Sequence, residues 1–198
     1  MIIMNTDPKE AESNKPFALE TIYGGVRFRS RLEARWAVYF DLIGLPWIYE
    51  PDGYSLKSGN YCPDFVTNFD FNRNYFLEVK PDEDAFVPIS NKLQEFADAV
   101  DKPIFCLAGY PTIDPQPAIL PKSERDKINP GLIVYGCFCH YAFTHKEWTQ
   151  PYYCGGNGIR EWCDEDYYVI ASNFRFENGR ADRAKIPKRR KISSSYDK

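Results

Sequence analysis

From Ser30 to Ile43 the apolar side chains return every three or four residues, at Leu32, Trp36, Tyr39, Phe40 and Ile43. That period predicts a helix with one buried stripe. Ser30 suits the N-cap, Glu33 three residues on completes a capping box, and Gly44 stands where the helix should stop. Ahead of this helix, Tyr23 to Arg29 reads as a turn leading into a short extended piece. Behind it the pattern breaks into short runs. Pro46 to Glu50 predicts a strand ended by the turn signal Pro51-Asp52-Gly53. Tyr54 to Leu56 and Tyr61 to Phe69 continue a hairpin-rich sheet across the turn Lys57-Ser58-Gly59-Asn60. Tyr75 to Lys80 predicts a further strand, entered through the turn material Asn72-Arg73-Asn74.

An acidic loop, Asp82-Glu83-Asp84, separates that strand from a second helix over Ser90 to Val100, with Leu93, Phe96, Ala97 and Val100 at helical spacing. Pro103 to Ala108 is a compact apolar run, as expected of a strand buried on both faces. The order helix, three strands, helix, strand predicts an α/β fold. Because the last strand follows a crossover helix, it should lie parallel to a neighbour in a mixed sheet. Between Tyr110 and Pro130, the prolines 111, 115, 117, 121 and 130 mark a long connection rather than an element. Beyond it, Leu132 to Tyr141 suggests a strand, and Glu165 to Arg175 a third helix or a strand. Residues 1–22 then form a flexible N-terminal arm and 23–110 a core. Residues 111–176 form a proline-rich connection with a cysteine- and aromatic-bearing extension packed on the core, and 177–198 a basic tail. No internal repeat is visible.

Composition narrows the class. A chain of 198 residues that is 43% hydrophobic and 16% aromatic can bury a real core. It carries neither a run long enough to span a membrane nor a basic-then-apolar leader, so a soluble, cytoplasmic protein with no membrane partner is expected. Six cysteines fit such a chain as metal ligands or buried hydrophobes better than as disulfides. The net charge of −3 argues against indiscriminate polyanion binding. Yet Arg175 to Lys191 holds eight basic residues against two acidic ones. This stretch, with Lys188, Arg189, Arg190 and Lys191 at its end, is either a solvated tail or a nucleic-acid contact.

The chemistry concentrates between Tyr61 and Pro81. Glu78 and Lys80 are two apart on one strand and so share a face. The hairpin before them can bring Asp64 close. Two carboxylates and an ammonium on one sheet face are costly unless paired, and a divalent cation is the usual remedy. Glu33 reads locally as a helix cap, with a metal ligand as the sharper alternative. Arg29, Arg31 and Arg35 crowd the start of the same helix, where they either hold phosphates or pair with surface acids.

With these residues on helix, strand, strand and strand, the chain resembles the PD-(D/E)XK nuclease superfamily, the restriction-endonuclease-like fold. The resemblance rests on Pro63-Asp64, on Glu78-Val79-Lys80, and on Phe28 to Ala37, which is similar to the first helix of small phage and mobile-element nucleases. It covers about Tyr23 to Gly109. It implies a metal-dependent DNA endonuclease with Mg²⁺ or Mn²⁺ held by Asp64, Glu78 and the Val79 carbonyl. Glu33 would complete the shell as a ligand that also caps, and Lys80 would orient or deprotonate the attacking water. A homodimer would suit double-strand cutting. Three departures stand beside the match. Asp98 replaces the tyrosine that the exonuclease branch carries four residues after Gln94, Pro81 ends the strand at once, and three acids follow where DNA should approach.

Those departures keep a second reading open: a non-catalytic nuclease-fold binding or inhibitory protein that presents its acidic surface to a protein partner. The resemblance also implies a zinc ribbon after the core. Cys139, His145, Cys154 and Cys163 are one of several possible structural zinc sets. The alternative is a strand with Cys137 and Cys139 on one buried face.

Overall fold

The computed structural model describes residues 19–70, 73–112, 114, 116–127, 134–136 and 165–185. Residues 1–18 of the predicted N-terminal arm 1–22, the residues Cys137, Cys139, His145, Cys154 and Cys163, and the tail cations Lys188 to Lys191 lie outside these, while Thr21 and Ile22 of that arm stand in a strand.

Helix α1 runs Arg31–Ile43 as the apolar period requires. Ser30, in extended conformation, accepts the Glu33 backbone N–H at 3.1 Å. At the other end Gly44 adopts φ +74°, and the bonds Gly44 N–H to Asp41 O and Leu45 N–H to Phe40 O close a Schellman stop. Helix α2, Ser90–Val100, is capped by Asp101, whose φ is +51°. A 3₁₀ turn, Asp84–Ile89, leads into it.

The strands are β1 Thr21–Tyr23, β2 Val26–Phe28, β3 Trp47–Tyr49, β4 Tyr54–Leu56, β5 Gly59–Tyr61, β6 Phe65–Asp70, β7 Arg73–Lys80, β8 Ile104–Ala108, β9 Gln116–Ile119, β10 Val134–Gly136 and β11 Arg180–Ala181. The main sheet has the order β10-β9-β8-β7-β6-β3. Only its β7–β8 pair is parallel, which makes the sheet mixed, with α2 as the crossover.

Strand alternation divides the core into two layers. Tyr75, Leu77, Val79, Phe105 and Leu107 pack with α1, around Trp36, Phe40 and Phe65. Phe76, Ile104 and Cys106 pack on the opposite side with Leu93, Phe96 and Ala97 of α2. Glu78 and Lys80 alternate with Val79 and so fall on the α2 side, on one face as expected. Each fully buried aromatic in these layers contributes about 1.5–3 kcal/mol, enough for a 13-residue helix to be held mainly by its buried stripe.

Two expectations change in detail. The run Tyr61 to Phe69 is not one strand: it breaks at Cys62-Pro63-Asp64, and Tyr61 closes a separate β4–β5 hairpin. That hairpin docks on α2, with Tyr54 and Tyr61 each 4.7 Å from the Phe96 ring and Glu95 accepting the Lys57 and Ser58 N–H groups. The proline-rich connection also contains elements, namely β9 and the one-turn helix α3, Lys122–Arg125. Pro117 is tolerated in β9 although it has no N–H to give. The Gln116 side chain helps to hold that strand by accepting the Ala108 N–H at 2.9 Å.

Helix α4, Glu165–Ser172, resolves the last ambiguous segment as helical and packs Tyr167 and Ala171 on the α1 layer. Strand β11 pairs in parallel with β1, which in turn pairs with β2. Among the described residues, no helix is long and apolar enough to cross a membrane.

Candidate active site

The site lies where β6 begins and β7 ends. Pro63 halts the backbone after the β5 hairpin, and Asp64 precedes the first residue of β6. The register Phe65↔Leu77 brings Asp64 beside the end of β7. One Asp64 oxygen, Oδ2, accepts the Val79 N–H at 2.7 Å. Its other oxygen accepts a short hydrogen bond from Arg29 Nη2. Lys80 Nζ sits 2.5 Å from Glu78 Oε1, 3.2 Å from the Val79 carbonyl and 4.0 Å from Asp64 Oδ2. The second Glu78 oxygen accepts the Tyr61 hydroxyl at 2.7 Å. Asp64, Glu78 and Lys80 therefore come together, as their spacing suggested.

Burial makes this cluster electrostatically unusual. Asp64 is 1% exposed and Glu78 5%. Burial first, and then the negative charge of Glu78, pushes the Asp64 carboxyl from its ordinary 3.8 up to about 7. Lys80 and the Val79 N–H oppose that rise, while the charge of Glu33 adds to it. The Tyr61 hydroxyl is held far above its usual range by burial and by Glu78, so it stays a donor to that carboxylate. Cys106 stands opposite Glu78 in the parallel register, and burial pushes its thiol up to about 12. It is a packing residue, not a nucleophile.

Glu33 joins the cluster indirectly. Its carboxylate accepts the Tyr49 hydroxyl at 2.5 Å, and the Tyr49 oxygen in turn accepts the Arg29 N–H at 3.1 Å. Arg29 bridges onward to Asp64, with its Nε 2.7 Å from Glu50 Oε1. The Glu33 backbone, not its carboxylate, thus serves the cap, and the side chain turns to the site. Arg29 stays largely exposed but reaches Asp64 with one end of its guanidinium.

Arg31 and Arg35 lie on α1 with Nε atoms that are buried and have no hydrogen-bond partner among the described residues. The zinc set and the tail cations lie outside the described residues. Among those described, no three His, Cys, Asp or Glu side chains converge as a metal cage.

Sequence reasoning missed Tyr49, Glu50 and Tyr61. Tyr49 pairs with Phe65 across β3 and β6, and the Glu50 N–H reaches the Asp64 carbonyl at 2.9 Å. Aligning Trp47-Ile48-Tyr49-Glu50 antiparallel against Asp64 to Thr67 would have exposed both. Tyr61 was signalled only by its place three residues before Asp64. Glu50 also holds φ +42°, a strained value for a residue with a side chain.

No protein-family model matches this chain, and no curated protein matches it either.

Proposed function

We propose that this protein is a metal-dependent DNA endonuclease, built on a restriction-endonuclease-like core, that hydrolyses phosphodiester bonds. The observation that carries the reading is the convergence of Asp64, Glu78 and Lys80 at the junction of β6 and β7, two of them buried carboxylates and the third an amine within reach of both. The element order around them supports it: α1, then the β6–β7 hairpin, then α2 crossing over to a parallel β8.

The donor set suits a hard divalent cation. Asp64, Glu78 and the Val79 carbonyl offer only oxygen, as Mg²⁺ or Mn²⁺ requires, and Mg²⁺ commonly takes one or two carboxylates and fills its remaining positions with water and phosphate. A cation bound there would polarise the scissile phosphate and acidify a water. Lys80, already beside both carboxylates, would orient the attacking water and stabilise charge developing on the phosphate oxygens. Glu33 would steady Arg29 through Tyr49. Tyr61 would hold one Glu78 oxygen, leaving the other to face the reaction.

The test is cleavage of plasmid, linear duplex, branched and single-stranded DNA with Mg²⁺, Mn²⁺ or EDTA, run on wild type, Asp64→Asn and Lys80→Ala. The expected result is metal-dependent cutting that falls at least about 100-fold in either variant, the scale of losing one transition-state contact. Folded wild-type protein that cuts nothing with either metal sinks the reading.

A second reading draws on one specific observation. Arg29 and Lys80 already neutralise the carboxylates inside the protein, an arrangement that a non-catalytic binding or inhibitory protein could keep without any cation. The exposed acids Asp82, Glu83 and Asp84 would then face a basic protein partner. Binding that survives Asp64→Asn in a protein that never cuts is its signature.

A further inference from the structure

We infer that Tyr110 and Arg35 form a shelf on which the proposed nuclease stacks an unpaired nucleobase of its DNA substrate, at the same carboxyl end of β7 and β8 as the proposed reaction centre. The inference rests on the nuclease reading and names its substrate class: DNA with single-stranded character, such as forks, flaps or bubbles.

An exposed aromatic alone is ordinary. Tyr110 is distinguished by how firmly its backbone is held while its ring stays outside. The Gly109 N–H donates to the Lys80 carbonyl at 2.9 Å. The Gly109 carbonyl accepts Trp36 Nε1 at 2.9 Å, from a side chain wholly buried in the core. The Pro111 carbonyl accepts the Ser172 hydroxyl of α4 at 2.9 Å. Three hydrogen bonds thus pin the residues on either side of Tyr110 to β7, α1 and α4, yet the residue remains 56% exposed. Gly109 makes the turn possible with φ +69°.

The ring's position follows from the register. Lys80 pairs with Ala108 at the ends of the parallel strands, so Tyr110 stands two residues past the partner of the proposed catalytic lysine. Ligands of open α/β sheets collect at this carboxyl end of parallel strands. One side of the ring is taken by the Arg35 guanidinium, 4.8 Å from its centroid. Arg31 lies one helical turn earlier on the same face of α1, and both arginines have a buried Nε without a hydrogen-bond partner among the described residues. An aromatic whose flanking backbone is held, with the Arg35 guanidinium on one face and Arg31 one helical turn away, matches what single-stranded DNA offers: a base with a free π-face and phosphates alongside. In a paired duplex those faces are covered by neighbouring bases, so a stacking shelf at this end of the sheet has a ligand only where bases are unpaired.

The experiment measures fluorescence anisotropy of the full chain in EDTA with three end-labelled DNAs of equal length: a single strand, a fork and a fully paired duplex. Wild type should bind the fork and the single strand more tightly than the duplex. Tyr110→Ala should weaken both by about 5- to 100-fold, the scale of one stacked base, and leave duplex binding within about 2-fold, since phosphate contacts carry it. Tyr110→Phe keeps the ring and should bind like wild type, which separates stacking from any loss of fold. Equal weakening on all three DNAs, a duplex preference in wild type, failure of Phe to restore binding, or no binding to any of them overturns the shelf. The outcomes remain separable from the parent reading. A protein that binds forks through Tyr110 but cuts nothing loses only the hydrolysis, and one that cuts duplex regardless of Tyr110 loses only the shelf.

Discussion

Raising the pH of the metal-free protein should destabilise it, because Asp64 is buried beside Glu78. Its carboxyl titrates near 3.8 in the unfolded chain and near 7 when folded. Between those values the folded state keeps a proton that the unfolded state has released, so stability falls as pH rises through the window and levels off above about 7. At 1.36 kcal/mol per pH unit the effect is on the order of a few kcal/mol, more than half of it lying between pH 5 and 8. Urea unfolding of wild type and Asp64→Asn in EDTA across that range isolates the contribution, because asparagine cannot ionise. The wild-type stability minus that of the variant should decline by that amount as pH climbs. Excess Mg²⁺ should shrink the decline, since a cation selects the ionised form. A difference that stays flat, or that grows with pH, would refute the reasoning. It would mean that the Arg29 and Val79 contacts to Asp64 outweigh its burial.

Tyr61→Phe leaves Glu78 Oε2 buried without its hydroxyl donor. Urea unfolding at neutral pH should register a loss of about 1–3 kcal/mol, and a change below about 0.5 kcal/mol would show the bond to be dispensable. Ser30→Ala removes the acceptor of the Glu33 N–H and should lower stability by about 1 kcal/mol, with Ser30→Asp restoring it. Gly179→Ala forces a side chain into φ +74° with its Cβ 3.4 Å from the Glu20 carbonyl. A thermal melt should show it destabilised by about 1–2 kcal/mol. Glu50→Gln loosens Arg29 from its outer partner and leaves it to compete harder for Asp64, so Mg²⁺ binding by calorimetry should weaken about 10-fold. The same substitution in an Arg29→Ala background should change little.

Much of the fold was legible because several local signals agreed. In α1 the apolar period, the Ser30 cap and the Gly44 stop each point to the same boundaries. Glu78 and Lys80 could be assigned to one face because strand alternation has no other solution. A crossover helix made the parallel β8 a consequence of topology. What stayed hidden depends on partners distant in sequence. Prolines around Gln116 signal a connection locally, but β8 and β10 supply a ladder that accommodates Pro117. Glu50 adopts a left-handed conformation that no glutamate advertises, sustained by a hydrogen bond to Asp64, 14 residues away in the chain. Arg29 reads as a surface cation among arginines until Tyr49 and Asp64 are brought beside it.

Under the proposed function, the ion pairs that neutralise Asp64 and Glu78 would also have to make room for a cation. Two carboxylates buried at a strand junction would repel each other and strand their charge in a poorly solvating interior. Arg29 and Lys80 relieve this, but not equally. Lys80 is anchored on β7 and leans on the Val79 carbonyl as well as on Glu78, so it belongs to the cluster in either state. Arg29 arrives from the β2–α1 junction, is 60% exposed, and touches Asp64 with one end of its fork while Glu50 and Tyr49 hold the rest. A divalent cation arriving at Asp64 would, under that proposal, displace a single contact of a guanidinium that keeps its other partners, so no unpaired charge would be left behind. Glu33 secures Tyr49, and Tyr49 secures Arg29, so under the proposed function a carboxylate that does not touch Asp64 would still influence how readily Asp64 is freed. Under the proposed function, that division, a fixed lysine and a releasable arginine, would let the buried acids take a metal without leaving a charge unpaired.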